Sequence, residues 1–294
     1  MRAGNELLYA NHPFIAKVLV WNKKKNKYVG LFNLLRDIRS VGYDGVFNLQ
    51  RFAASGFLTA FSGAKEKVGF DKNPLSFLFT RSIKHVIGSK ENPGVHEVQR
   101  CLELIEHLTD RSMEKPRVYP SPSDFDVVSS YKEEEYISIS PGSVWFTKRV
   151  PADQWKLLIS NLGTIKIYLL GASGDSELCN ELAGHDTNVF NLAGKLSLLQ
   201  SAALMKSSIM NYTGDSAPLH LCSAMNAPVT AIFCSTIPEF GFGPLSDKSI
   251  VIELSENLSC RPCGLHGHRA CPEGHFKCSL LHLDRVAQQF RSKS

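Results

Sequence analysis

Two short stretches of this chain put hydroxyls, cations and a carboxylate where an apolar run gives way to a helix. The first is Ser140-Pro141-Gly142-Ser143-Val144-Trp145-Phe146-Thr147-Lys148-Arg149-Val150-Pro151. The Thr147 hydroxyl with the Lys148 ammonium at a helix N-terminus suits a phosphate, because dipole, free N–H groups and point charge converge there. An ordinary strand-to-helix loop with exposed cations fits the same residues. The second stretch is Asn211-Tyr212-Thr213-Gly214-Asp215-Ser216-Ala217-Pro218-Leu219-His220. Ser216 reads as an N-cap with Pro218 in the first turn, so the backbone N–H groups at this end would point at an anion. Asp215 would repel a phosphate there; a carboxylate in that place suits sugar hydroxyls or a cationic group. A capping turn is the alternative for Asp215, and an internally satisfied helix histidine for His220.

A third loop, Asn191-Leu192-Ala193-Gly194-Lys195-Leu196-Ser197-Leu198, has no chemistry of its own but could present backbone groups to a base. A fourth segment joins Cys260-Arg261-Pro262-Cys263 to Cys271 and Cys278, with His266 and His268 between. Cys-x2-Cys followed by two more cysteines is spacing for a structural tetrahedral zinc, although the second pair is wider than a usual knuckle. A buried thiol cluster and a disulfide pair are the alternatives. Cys101, Cys179, Cys222 and Cys234 lie in apolar surroundings and read as core.

The elements that must position these residues fall into two halves. The 294 residues suggest about two domains. With 43% hydrophobic and 21% charged residues the composition is globular, which excludes disordered and collagen-like classes. The net charge of +5 is compatible with anionic ligands or an anionic membrane face, and too small to argue for nucleic acid without a basic motif. No apolar run reaches the ~18 to 20 residues of a membrane span, and the first residues lack a signal-peptide pattern. The lysine cluster within Asn22 to Lys27 reads as a solvated turn, with an anionic-lipid contact as the alternative. Residues 1–114 form one expected domain, 115–135 a Pro- and Ser-rich linker, and 136–294 a second domain. In the second domain, strands alternate with helices, which predicts a parallel sheet covered on both faces, with ligands beyond the strand carboxyl ends.

Taken together the segments resemble glycosyltransferase family nine, the ADP-heptose:lipopolysaccharide heptosyltransferases. The resemblance rests on motifs in order along nearly the whole chain. Asn48-Leu49-Gln50-Arg51, Ser62-Gly63-Ala64 and Gly69-Phe70-Asp71 come first. Pro141-Gly142-Ser143 with Thr147-Lys148-Arg149-Val150-Pro151 and Leu169-Leu170-Gly171 follow, then Asn191 to Lys195, Asp215-Ser216-Ala217-Pro218-Leu219-His220 and the Cys-rich tail. It implies an α/β protein of GT-B architecture, with two Rossmann-like domains on parallel sheets. The implied reaction is transfer of a heptose, with inversion, from an ADP-sugar to a lipid-linked inner-core acceptor of lipopolysaccharide. The implied setting is peripheral contact with the cytoplasmic face of the inner membrane, and no cofactor is required for catalysis. Residue by residue, Ser143, Thr147, Lys148, Asp215, Ser216, Ala217 and His220 would meet the donor phosphates and sugar. Lys195, Leu196 and Asp175 would meet the nucleoside, and Gln50 and Arg51 the acceptor.

Two departures accompany the resemblance. The family has Gly where this chain has Ala217, which costs backbone clearance. The family also begins with an apolar strand and a Gly-Asp loop whose Asp is the implied general base. This sequence starts at what resembles the end of the second strand, so the N-terminal domain is expected to be incomplete and the catalytic base is unassigned. Asp44 precedes a strand and is not its equivalent. The alternative reading is therefore a catalytically impaired nucleotide-sugar-binding remnant.

Overall fold

The computed structural model describes residues 1 and 3–284, which divide into two compact units, Met1–Glu114 and Lys115–Ser294. In the first unit, Leu31, Leu34, Leu35 and Ile38 recur at helical spacing and lie on α1 (Lys27–Val41), which stops where Gly42 takes the left-handed conformation (φ 70°). Then follow β1 (Gly45–Asn48), α2 (Ala53–Ala60), β2 (Glu66–Phe70), β3 (Arg81–Ile83) and α3 (Glu97–Glu103). The three strands form a parallel sheet in the order β1-β2-β3. Its small core is Val68, Phe70 and Leu104. The run Val18–Trp21 does not become a strand: Trp21 makes only an isolated bridge, its amide donating to Met1 O.

The second unit contains α4 (Pro122–Val127), β4 (Tyr136–Ser140), α5 (Ala152–Leu162), β5 (Lys166–Leu169), α6 (Ser176–Ala183) and β6 (Val189–Asn191). It continues with α7 (Leu198–Ser207), β7 (Met210–Gly214), α8 (Ala217–Met225), β8 (Val229–Phe233) and β9 (Ser249–Glu253). All six strands are parallel, in the order β6-β5-β4-β7-β8-β9. β4, β7 and β8 are buried at every position, as strands covered on both faces must be. Trp155 and Leu158 of α5 pack with Ile137, Ile139, Leu169 and Tyr212 in the core.

The stretch 115–135, read as a linker, is not wholly irregular. Ser121 and Asp124 form a capping box with Pro122 in the first turn, and the resulting α4 lies against α7. Pro and Ser here start a helix, a use that composition alone does not distinguish from a linker.

Strand order carries the functional consequence. From β4 the chain moves outward through β5 and β6, then returns to the other side of β4 for β7, β8 and β9. The carboxyl ends of β4 and β7 are therefore the point where the order reverses, which is where open α/β sheets leave a ligand crevice.

Candidate functional site

Both phosphate-suited stretches emerge at that point. The β4 exit loop runs from Pro141 to Lys148, and the β7 exit is Asp215-Ser216 leading into α8. Lys148 Nζ lies 2.7 Å from Asp215 Oδ2, and the two side chains are only 15% and 10% exposed. Thr236, just beyond β8, donates its hydroxyl to the same Oδ2 at 2.6 Å. A carboxylate oxygen engaged by an ammonium and a hydroxyl is held by two charge-assisted hydrogen bonds, the strong kind.

Ser216 is the N-cap of α8 but makes no side-chain cap hydrogen bond. The Leu219 amide turns back to Ser216 O at 3.1 Å, and Pro218 has no N–H, so the amides of Ser216 and Ala217 are the donors this end offers outward. Arg149 Nε donates to Ser143 O at 2.6 Å and pins the β4 exit loop. His220 is exposed one turn into α8.

Thr147 is placed differently from its neighbour. It is buried, its amide donates to His268 O at 3.1 Å, and its hydroxyl accepts from His268 N at 2.8 Å and from Ser235 Oγ at 3.0 Å. The hydroxyl is committed to protein partners, so Thr147 fastens the tail to the β4 exit loop. Gly267 (φ 74°) lies directly over this contact, where a Cβ would come within 2.9 Å of Thr147 Oγ1.

Asp175 closes the adjoining exit of β5. Its Oδ2 accepts from Ala172 N at 2.9 Å, and a Cβ on Gly142 would sit 2.4 Å from Oδ1. One carboxylate thus sets the spacing of the β4 and β5 exit loops. Lys195, exposed, and Leu196, half-buried, follow β6 on the next loop. Lys195 lines an open cavity of about 570 Å³ with Tyr168 and Phe190. In the first unit, Gln50 and Arg51 follow β1; the Gln50 amide donates to Asn48 Oδ1 at 2.9 Å, and Asn73 Nδ2 donates to Gln50 O at 2.8 Å. Arg51 is exposed.

The expected zinc set of Cys260, Cys263, Cys271 and Cys278 is not assembled. Among the described residues no group of three or more His, Cys, Asp or Glu side chains is arranged to hold a metal ion. Cys263 Sγ turns to Cys260 O at 3.1 Å, and Cys271 Sγ accepts from Phe276 N at 3.4 Å. Burial pushes the Cys278 thiol up to about 11, with the other tail thiols adding to it, and lifts Cys263 as well. Of the remaining cysteines, Cys179, Cys222 and Cys234 are buried, and Cys101 is half-buried.

Sequence reasoning missed Thr236, Ser235 and the tail residues that grip them. A signal was available: Cys234-Ser235-Thr236 follows an apolar strand as Ser216 follows β7, with hydroxyls beyond the strand end.

Known proteins share this fold. Lipopolysaccharide heptosyltransferase 1 of Pseudomonas aeruginosa is 25% identical over 275 residues, covering 86% of this chain and 73% of that protein. The solved structure of E. coli ADP-heptose lps heptosyltransferase II matches with a TM-score of 0.75 at 21% identity, covering 99% of this chain and 87% of that one. E. coli heptosyltransferase WaaC with ADP matches with a TM-score of 0.65 at 19% identity, covering 97% and 81%. The parallel α/β sheets are those of the GT-B architecture. The model of glycosyltransferase family 9 (heptosyltransferase) matches residues 31–274, and the chain belongs to that family of glycosyltransferases.

Proposed function

We propose that this chain transfers a heptose, with inversion, from ADP-heptose to a lipid-linked inner-core acceptor of lipopolysaccharide. The observation that carries the reading is the Lys148–Asp215 pair at the β4/β7 switch point, 2.7 Å apart, beside the outward amides of Ser216 and Ala217. The amides and Lys148 take the diphosphate; Asp215 takes hydroxyls of the sugar being moved. As the glycosyl–phosphate bond breaks, negative charge builds on the departing diphosphate, and a fixed ammonium with a helix N-terminus stabilises it most there. That positive potential comes from the chain itself, so the reading calls on no cofactor.

Ser143 and His220 border the same site. Lys195 and Leu196 border the base, and Gln50 and Arg51 the acceptor. Asp175 shapes the wall between the β4 and β5 exits, because its Oδ2 is already bonded to Ala172 N. The names of the relatives, lipopolysaccharide and ADP-heptose heptosyltransferases, support donor and acceptor class. Lys23, Lys24, Lys25 and Lys27 are all exposed, which supports a peripheral contact with an anionic membrane face. Among the described residues no helix is long and apolar enough to cross a membrane.

The test is incubation with ADP-heptose and a lipid-linked inner-core acceptor, following ADP release, product mass and the anomeric configuration of the new bond. Inverted product is expected. A retained configuration would overturn the mechanism, and ADP binding without turnover would support the nucleotide-sugar-binding reading in its place.

A further inference from the structure

The Cys-rich tail grips the far side of the Lys148–Asp215 pair. Arg261 is 8% exposed and belongs to this tail. Its Nε donates to Cys234 O at 2.7 Å, and its Nη2 donates to Thr236 O at 2.8 Å and reaches Phe233 O at 3.4 Å. The same Nη2 meets Glu253 Oε2 of β9 at 2.8 Å, which neutralises the buried charge. Cys263 N donates to Ser235 O at 2.9 Å. The carbonyls of four consecutive residues, 233 to 236, are therefore all engaged by the tail. These residues are where β8 ends and regular ladder partners stop, so their carbonyls need other donors. The last of the four carries the hydroxyl that bonds Asp215.

We propose that Arg261 is a positioning residue of the donor site. It fixes the backbone of Thr236, whose hydroxyl holds Asp215 Oδ2 in the orientation that also receives Lys148. The geometry demands an arginine: a planar fork with donors in fixed directions spans several carbonyls at once, whereas an ammonium is a single point. Without the fork, Thr236 is released, Asp215 keeps only one of its two anchors, and Lys148 is no longer aimed at the diphosphate. The proposal rests on the donor-site reading above.

The test uses the full chain with Arg261→Lys, Thr236→Val and the pair combined, measuring ADP affinity by calorimetry, steady-state kinetics and thermal midpoint. Each single substitution is expected to weaken ADP about tenfold and lower kcat about tenfold, with the acceptor KM unchanged. The combined variant should be no worse than the poorer single one, because both act through one path. Effects that multiply, or an Arg261→Lys protein that binds ADP like the wild type, would overturn the proposal. If Arg261→Lys does not fold, Glu253→Gln reads the same path by loosening one bond to Arg261. It should weaken ADP about threefold, and unchanged affinity counts against the proposal. A wild-type chain that neither binds ADP nor turns over donor removes the donor-site reading itself. A wild type that binds ADP while Thr236→Val binds it equally tightly removes only the positioning path from Arg261 through Thr236.

Discussion

Lys148 and Asp215 follow strands that are neighbours in space but distant in sequence, Ile139 standing opposite Tyr212 in the β4/β7 ladder. Their contact at 2.7 Å is therefore a product of strand order, and it places a cation and a carboxylate together at the mouth of the switch point. The pair explains an oddity of the sequence, an acidic residue at a helix start otherwise suited to an anion. Asp215 anchors the ammonium, and in the proposed reading it also takes hydroxyls of the sugar.

Replacing Asp215 by Asn separates these roles. The shape is kept and the amide oxygen can still accept from Thr236 and Lys148, so the ammonium stays aimed, but a negative charge beside the diphosphate site is lost. ADP should bind at least as tightly as before, while turnover falls about 100-fold, the size expected for an electrostatic contact made in the transition state. Calorimetry with ADP and a transfer assay check both signs; loss of ADP binding would contradict the assignment of Asp215 to the sugar.

Gly142→Ala tests the wall between the β4 and β5 exits. The new methyl would sit 2.4 Å from Asp175 Oδ1, so one loop must move. A destabilisation of about 1–3 kcal/mol is expected, as for other overpacked sites. Adding Asp175→Ala should recover part of the stability lost to the clash in chemical denaturation. A Gly142→Ala protein as stable as the wild type would show that the two loops do not touch in this way.

Gly267→Ala tests the strap over Thr147. The position combines φ 74° with a Cβ 2.9 Å from Thr147 Oγ1 and 3.0 Å from Lys148 Cγ. The strained backbone costs about 1–2 kcal/mol, and the clash displaces the Lys148 stem. Both a lower thermal midpoint and weaker ADP binding are expected, read by differential scanning calorimetry and titration. A fall in stability with full ADP affinity would separate the strap from the site.

The buried thiols set an alkaline limit. Burial pushes Cys179 and Cys222 up to about 12 and Cys278 to about 11, from an ordinary value of 9.0. Each binds its proton more tightly when folded, so its contribution is complete below pH 9 and is lost as pH rises through 11 to 12. The thermal midpoint should be flat from about pH 7 to 8.5 and fall steadily above about 9. A midpoint unchanged to about pH 11 would mean these thiols are not held as described.

Much of the second unit was legible because its strands carry their own signature. β4, β7 and β8 are buried on both faces and hold no charged residue, so each stands out from its flanks as a short strand-like run. β2 was not legible: Glu66 and Lys67 open it, and only Val68 and Phe70 bring apolar side chains to the core. β3 and β6, three residues each, are too short to show a period. Lys148, Asp215 and the Ser216–Ala217 amides were readable because hydroxyl, charge and helix start lie within a few residues. Thr236 and Arg261 were not, because their partners come from strand order and a long return of the chain. The cysteine spacing does not by itself settle a metal site. Spacing brings thiols near one another, but burial, backbone acceptors and the direction of each side chain decide whether they share a metal.

The most direct measurement is a calorimetric titration of ADP into the wild-type chain and into Lys148→Ala. Lys148 is the only cation placed against Asp215 among the described residues. Removing it leaves a carboxylate uncompensated where the diphosphate should bind. The wild type should bind ADP, and the variant should bind it at least tenfold more weakly, a change of about 1.4 kcal/mol. Equal affinity in the two proteins would contradict a diphosphate site at the β4/β7 switch point.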